Sequence, residues 1–377
     1  MLKLLHALID PSLPLPAEED EYRQMISQRR FFQVSSQLYY LLRRQNRLKE
    51  VPLFFSEALK ADADRNLIRS LMIKGELDHL LQCFTEEKIE VIPFKGTIFA
   101  EKYFGSLSAR GTTDIDILVK PHQIAQATNI LQKLGFTSLV PYAPEHFHIV
   151  LQKKMPQLST HVNVEVHWHF LRKGTSSLDM NTIWEGSSSL PGERYIRELS
   201  NFHTFYLICL HGWNHDLDNW KYFIDIIRLI EVFQPTLNYQ ELFAFAEQQK
   251  TYKRIAHTLM IVYHVFPELE RLVPLPLPTD SELWWNKMDL LLSEDSKRTF
   301  RMMVKKIKQC GDYETWQQKW NYLRMTIFPD PVIMSATIGK NKSKLPRAVQ
   351  YIFLFCHRLS GFMKSIPYII KFRKKIR

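Results

Sequence analysis

The sequence predicts an α+β protein in which a small mixed β-sheet with helices is embedded in a largely helical chain. Three observations lead there. Short β-branched or alternating runs at 91–94, 114–119, 146–152 and 161–168 read as strands. Residues 21–88 and 200–328 instead repeat apolar side chains at helical spacing. Helix-length segments with recognisable starts and stops separate the strands. A chain of 377 residues is long enough for more than one domain. The expected division is a helical N-terminal region (1–88), a sheet-bearing core (89–198), a helical domain (199–330) and a basic amphipathic C-terminal tail (331–377).

The N-terminal run Met1-Leu-Lys-Leu-Leu-His-Ala-Leu-Ile9 meets Asp10 and Pro11 without a small-residue cleavage site, so no secretory signal is expected. Pro11, Pro14 and Pro16 make a loop that delivers the acidic helix start Glu18-Glu19-Asp20. The helical layer that follows has Leu67, Leu71, Leu77, Leu80 and Leu81 as its apolar positions.

The stretch 91–119 organises the chemistry. Val91-Ile92-Pro93-Phe94 reads as a strand, broken at Lys95-Gly96-Thr97 into a helical pattern, and an apolar strand then carries Asp114 and Asp116. Strand residues two apart share a face, so the two carboxylates project side by side. Such a pair repels itself and loses solvation unless a cation lies between. Mg2+ suits the position, because it takes oxygen ligands and is completed by substrate phosphates. Gly96 at a helix opening adds a backbone free of a side chain, aimed at an anion. Lys95 and Arg110 add positive charge. Gly105-Ser106 is a second candidate for the phosphate turn; Gly96-Thr97 is preferred because it follows a strand and opens a helix.

Pro121 opens a helix with Ile124, Ala127, Ile130, Leu131 and Leu134 on one side, and Gly135 closes it. The strand from His146 to Gln152 is expected to pair with 161–168, where Asn163, Glu165 and His167 share one face and Val162, Val164 and Val166 the other. Glu165 is thereby a third carboxylate for the same metal site. The expected sheet has its helices on one face. Five histidines, His146, His148, His161, His167 and His169, crowd these strands and could bind zinc, although no familiar spacing joins them. The reading adopted is that one or two orient a substrate or a carboxylate, His167 first because it accompanies Glu165.

These residues resemble the nucleotidyltransferase superfamily that includes DNA polymerase beta, and specifically a family of uncharacterised bacterial nucleotidyltransferases. Phe94-Lys95-Gly96-Thr97 is similar to the glycine signature, although many members have Gly-Ser or Gly-Gly there. Arg110-Gly-Thr-Thr-Asp-Ile-Asp-Ile-Leu-Val119 resembles the Arg followed by the metal-binding carboxylate pair. Val164-Glu165-Val-His-Trp168 resembles the third carboxylate strand. The resemblance implies a nucleotidyltransferase core and a catalytic trio of Asp114, Asp116 and Glu165 holding two Mg2+ ions. Lys95, Gly96, Thr97 and Arg110 would bind the nucleotide, ATP or another nucleoside triphosphate. The implied reaction moves a nucleoside monophosphate to an acceptor hydroxyl and releases pyrophosphate. Association of that family with surface-polysaccharide gene clusters favours a sugar or glycan acceptor. A protein acceptor, as in AMPylating or toxin-antitoxin relatives, comes second and RNA third. A non-catalytic nucleotide-binding scaffold is the rival from another class.

From Ser200 the pattern is helical, with Phe202 to Gly212 and Trp220 to Phe233 as two helices. Leu210-His-Gly and Trp220-Lys-Tyr-Phe-Ile-Asp225 resemble the same family's helical region. A buried His211–Asp225 hydrogen bond holding a helical hairpin is the plain structural expectation; the functional one puts His211 or Asp225 near the acceptor. Prolines at 267, 274, 276 and 278 mark a linker, and helical patterns resume to about Phe328.

Composition sets the outer bounds. The chain is 45% apolar and 24% charged, as folded proteins are, and no stretch reaches the roughly 18 apolar residues of a membrane span. Cys83, Cys209, Cys310 and Cys356 lack metal spacing and suggest reduced thiols in a cytoplasmic protein. The net charge of +11 lies entirely beyond Asp330, in eleven Lys and Arg residues with no Asp or Glu among them. A nucleic-acid enzyme usually spreads its basic footprint around its groove, which argues against RNA. Cations interleaved with aromatic and aliphatic residues instead suit peripheral contact of residues 340–377 with an anionic membrane, at its inner face.

Overall fold

The computed structural model describes residues 1–28, 31–138, 146–155, 160–278, 285, 305–329, 334, 337–339 and 345–376, and the side chains of all but 160, 361–362 and 364–376 among these. Five strands form a mixed sheet: β1 (Val91–Pro93), β2 (Asp114–Val119), β3 (Thr137–Ser138), β4 (His148–Met155) and β5 (Thr160–His167), in the order β1-β2-β5-β4-β3. Only β2 and β5 run parallel; the other neighbours are antiparallel. The expected pairing of the 146–152 and 161–168 segments is found, with β4 starting two residues later than its sequence pattern suggested.

Helices lead into the sheet: α1 (Leu2–Ile9), α2 (Glu19–Ser27), α3 (Ser35–Arg44) and the 34-residue α4 (Leu53–Glu86). At 1.5 Å per residue α4 is about 50 Å long, enough to serve two cores. Phe55 and Leu59 from its first turns join one apolar cluster, whereas Ile73, Leu77, Leu80, Leu81 and Phe84 join another. Its middle departs from the expected apolar stripe: Leu67 and Leu71 are exposed. Asp62, Asn66 and Ser70 point inward there instead, Asp62 and Asn66 hydrogen-bonding Ser35 and Ser36 of α3. Polar pairing with α3 decides the orientation of this part of the helix.

The helix α5 (Gly96–Phe99) follows β1 and continues as a π-helical segment, Ala100–Phe104. A short 3-10 turn at Pro121–Gln123 opens α6 (Ile124–Lys133), and Gly135 closes it at φ +88°. Helices cover both faces of the sheet, not one. Ile115, Ile117, Val119, Val162, Val164 and Val166 pack with α6 and the second half of α4. Ile92 and Leu118, on the opposite face, join the larger cluster built by α3, α8 (Asn201–Asn214), α9 (Trp220–Phe233), α10 (Tyr239–Gln248) and α11 (Tyr252–Val265). A short helix α7 (Met180–Glu185) precedes them. Side-chain caps at Ser200, Asn219 and Asn238 fix the starts of α8, α9 and α10.

Beyond the proline-rich segment, which begins as a 3-10 turn (Pro267–Arg271) with Leu269 and Leu275 in the larger apolar cluster, α12 (Trp316–Ile327) starts with a capping box from Thr315 and Gln318. The last described element, α13 (Arg347–Ile376), docks its first turns on the end of α12, where Arg358 Nη1 donates to Thr326 O at 2.7 Å. Ile352, Leu359 and Met363 of α13 are exposed. Lys340, Lys342 and Lys344, the side chains of the terminal basic residues from 364 on, and most of the expected helix from 282 to 304 lie outside the described residues. Among the described residues, no helix is long and apolar enough to cross a membrane.

Candidate active site

Parallel pairing of β2 with β5 sets the site. Asp114 lies opposite Asn163, Asp116 opposite Glu165 and Leu118 opposite His167. Because side chains alternate, these residues share one face of the sheet while the intervening Ile and Val side chains fill the core behind it. β4 extends the same face, placing His148 opposite His167.

Each carboxylate has a different environment. Asp114 accepts from Asn163 Nδ2 at 3.0 Å and from Thr113 Oγ1 at 2.9 Å, and burial pushes its pKa up. For Asp116 burial acts in the same direction. Lys95 Nζ and His167 Nε2, each 3.4 Å from Asp116 Oδ1, outweigh it and hold the carboxyl below the usual range. Glu165 is also buried, but His167 Nε2 at 3.2 Å brings its pKa down on balance. His167 feels the reciprocal effect: burial lowers its pKa, and the two carboxylates more than restore it. His148 is pushed down to about 3, by burial and then by the neighbouring His167.

Two glycines compete for the phosphate turn on sequence grounds, and their surroundings differ. Gly96 has φ +63°, and a Cβ there would stand 3.0 Å from the Asp114 carbonyl oxygen. A side chain would therefore collide with the strand that carries the carboxylates. Gly105 caps the far end of the π-helical segment, with open space around it. Beside Gly96, Thr97 Oγ1 is buried without a hydrogen bond.

The helical layer closes the site from the other side. Arg110, in the loop before β2, donates from Nε and Nη2 to Asp225 of α9 at 2.9 Å, and Gln37 Nε2 donates to the same carboxylate at 3.0 Å. Both members of the pair are buried, at 3% and 1% side-chain exposure. The expected His211–Asp225 hydrogen bond is thus not made, because Arg110 and Gln37 occupy Asp225. His211 instead packs edge-on against His215 and Tyr222, and burial, with Lys95 nearby, holds its pKa low. The sequence reading missed Lys221. It stands one helical turn before Asp225 on α9, so the i,i+4 spacing was the available signal. Its Nζ donates to Gly111 O at 3.1 Å, and burial followed by the charge of Arg110 pushes its pKa to about 8.

Of the ten residues singled out in the sequence, Asp114, Asp116, Glu165 and His167 thus meet with Lys95 on one sheet face, and Gly96 and Thr97 adjoin it. Arg110 and Asp225 meet each other in the helical layer that closes the site. A family model described as uncharacterised nucleotidyltransferase matches residues 18–267, which takes in the sheet, the carboxylates and α8 to α11. No curated protein and no solved structure matches the chain.

Proposed function

The chain belongs to the uncharacterised nucleotidyltransferase family, and we propose that it moves a nucleoside monophosphate from a nucleoside triphosphate to an acceptor hydroxyl using Asp114, Asp116 and Glu165. The observation that carries this reading is the pairing of Asp116 with Glu165 on adjacent parallel strands, with Asp114 on the same face. Nucleotidyltransferases generally use divalent metals, and three carboxylates on one face form an oxygen donor set that fits them. The orphaned buried Thr97 Oγ1 beside the Gly96 turn fits a polar ligand there. Mg2+, as two ions, is the cation we propose; when bound, it neutralises phosphate charge and lowers the pKa of the attacking oxygen.

The protein's own groups do the rest. Gly96 leaves the backbone open for a triphosphate, and Thr97 offers a hydroxyl. Lys95 and Lys221 approach the carboxylate face from two different elements and bind the phosphates by charge. Arg110 acts through Asp225, fixing α9 and with it Lys221. The acceptor oxygen forms a bond to the α-phosphorus as the bond from that phosphorus to the bridging oxygen breaks. Pyrophosphate leaves with its electron pair, and the hydroxyl proton passes to solvent.

A sugar or glycan is the acceptor in this reading; His167 and His211 stand on the substrate side, whereas Asp225, first considered with them, is the buried partner of Arg110. Residues 340–377 make a peripheral contact with an anionic leaflet at the cytoplasmic face, supported by the exposed Ile352, Leu359 and Met363 and the absence of acids after Asp330. Incubating the protein with labelled nucleoside triphosphates, Mg2+ and a host lysate should label a glycan. Label on a protein would move the reading to protein modification. Metal-dependent nucleotide binding without any transfer would leave only a scaffold.

A further inference from the structure

Beside Asp116 the carboxylate face changes its donor chemistry. His148 and His167 are cross-strand partners on β4 and β5, and Glu165 sits two residues before His167 on the same face. One ligand atom from each of these three residues lies within 4.8 Å of the others. Glu165 Oε2 is 3.2 Å from His167 Nε2 and 4.0 Å from His148 Nε2. Two atoms each about 2.0–2.1 Å from one ion stand about 3.3 Å apart across a tetrahedron, so the first separation already fits and rotation of His148 closes the second.

Each imidazole keeps a ring nitrogen buried without a hydrogen bond. His167 is 4% exposed; its Nε2 is shared between Asp116 and Glu165 as ion-pair contacts, and its Nδ1 is buried without a hydrogen bond. His148 Nδ1 is likewise buried without one. Buried polar atoms left so cost stability, and they point to a ligand the fold was built to receive. Asp114 and Asp116 offer oxygen alone, which suits Mg2+. Two imidazoles and a carboxylate suit first-row transition ions instead.

We propose that His148, Glu165 and His167 hold a first-row transition ion, Mn2+ or Zn2+, so that of the two ion positions in the reading above the one on the Glu165 side takes these ions in preference to Mg2+, and the one on Asp114 and Asp116 keeps Mg2+. The proposal rests on the transferase reading for the role of Glu165, but its ligand set is testable without turnover. The full chain is titrated with Mn2+ in the absence of nucleotide, the free ion being followed by electron paramagnetic resonance. A single Mn2+ should bind, leave when Zn2+ is added, and stay against about 100-fold more Mg2+. His148→Asn and His167→Asn should each weaken Mn2+ by about tenfold or more, since even outer partners of a ligating histidine cost that much.

Asp114→Asn should keep this Mn2+ site and lose Mg2+-dependent nucleotide binding. Circular dichroism checks the folding of the histidine variants; should His167→Asn not fold, His148→Asn, at a half-buried position, carries the test. Absence of Mn2+ and Zn2+ binding, release by comparable Mg2+, or wild-type Mn2+ affinity in the histidine variants overturns the proposal. The transferase reading survives that outcome if Asp114→Asn still abolishes nucleotide binding, and fails separately if it does not.

Discussion

The two faces of β2 and β5 are made from alternate residues of the same strands, yet they do opposite things. Behind the sheet, Ile115, Ile117, Val119, Val162, Val164 and Val166 are each at most 3% exposed and pack against α4 and α6. In front, Asp114, Asp116, Asn163, Glu165 and His167 gather charge and unpaired nitrogen. A period of two lets one strand pair separate stability from chemistry. The Arg110–Asp225 pair marks the limit of that separation. It is charged and close to the front face, but it is sealed and fully hydrogen-bonded, and it belongs to the scaffold.

The sharpest way to break the comparison is at that pair. Arg110→Ala leaves Asp225 buried without its guanidinium and should cost about 3–5 kcal/mol in chemical denaturation. A double variant, Arg110→Met with Asp225→Leu, should recover the larger part and still bind nucleotide by calorimetry. If the double variant folds but has lost the triphosphate, Arg110 is a phosphate ligand and not a strut.

A matched pair of single substitutions sharpens the contrast between the faces. Asp114→Asn keeps an oxygen for Asn163 and puts an amide nitrogen that can donate to Thr113 Oγ1 in place of the second oxygen, while removing a desolvated charge near two other carboxylates. Transfer should fall roughly a thousandfold, as for loss of a key charge-stabilising group, with the melting temperature held or raised. Leu151→Ala, behind the sheet and fully buried, should do the reverse. It should cost about 2–5 kcal/mol of stability and leave turnover per folded molecule near wild type.

Lys221 provides the smallest and most specific effect. Its pKa is depressed to about 8, so the folded state disfavours its charge. That destabilisation is fully present below pH 8 and fades as pH rises toward the ordinary lysine value of about 10.4. A triphosphate prefers the protonated lysine. Nucleotide affinity measured by calorimetry should therefore fall as pH rises through about 8. Lys221→Met should flatten that dependence and weaken binding at pH 7 by about tenfold, or 1.4 kcal/mol. An unchanged pH profile in the variant would remove Lys221 from the site.

Much of the front face was legible because it depends on local periodicity. Asp114 and Asp116 had to share a face, as did Glu165 and His167, and Gly96 stood where a strand gives way to a helix. Other features were not legible. Leu67 and Leu71 look like core positions in sequence and are exposed, because Asp62 and Asn66 find hydroxyl partners on α3 and turn the helix that way. His211 and Asp225 lie fourteen residues apart on facing helices, but Arg110, arriving from the sheet, makes the stronger bidentate bond to the carboxylate.

By itself the sequence determined which side chains share a strand face and where helices begin, since alternation and capping act over a few residues. The tertiary structure decided that β2 lies parallel to β5 in the register that sets Asp116 against Glu165, and that α9 brings Lys221 onto Gly111 in the loop before β2. Those choices are made between segments distant in the chain, by the joint burial of the Ile and Val face and by the need of Asp225 for a partner, and no local pattern encodes them.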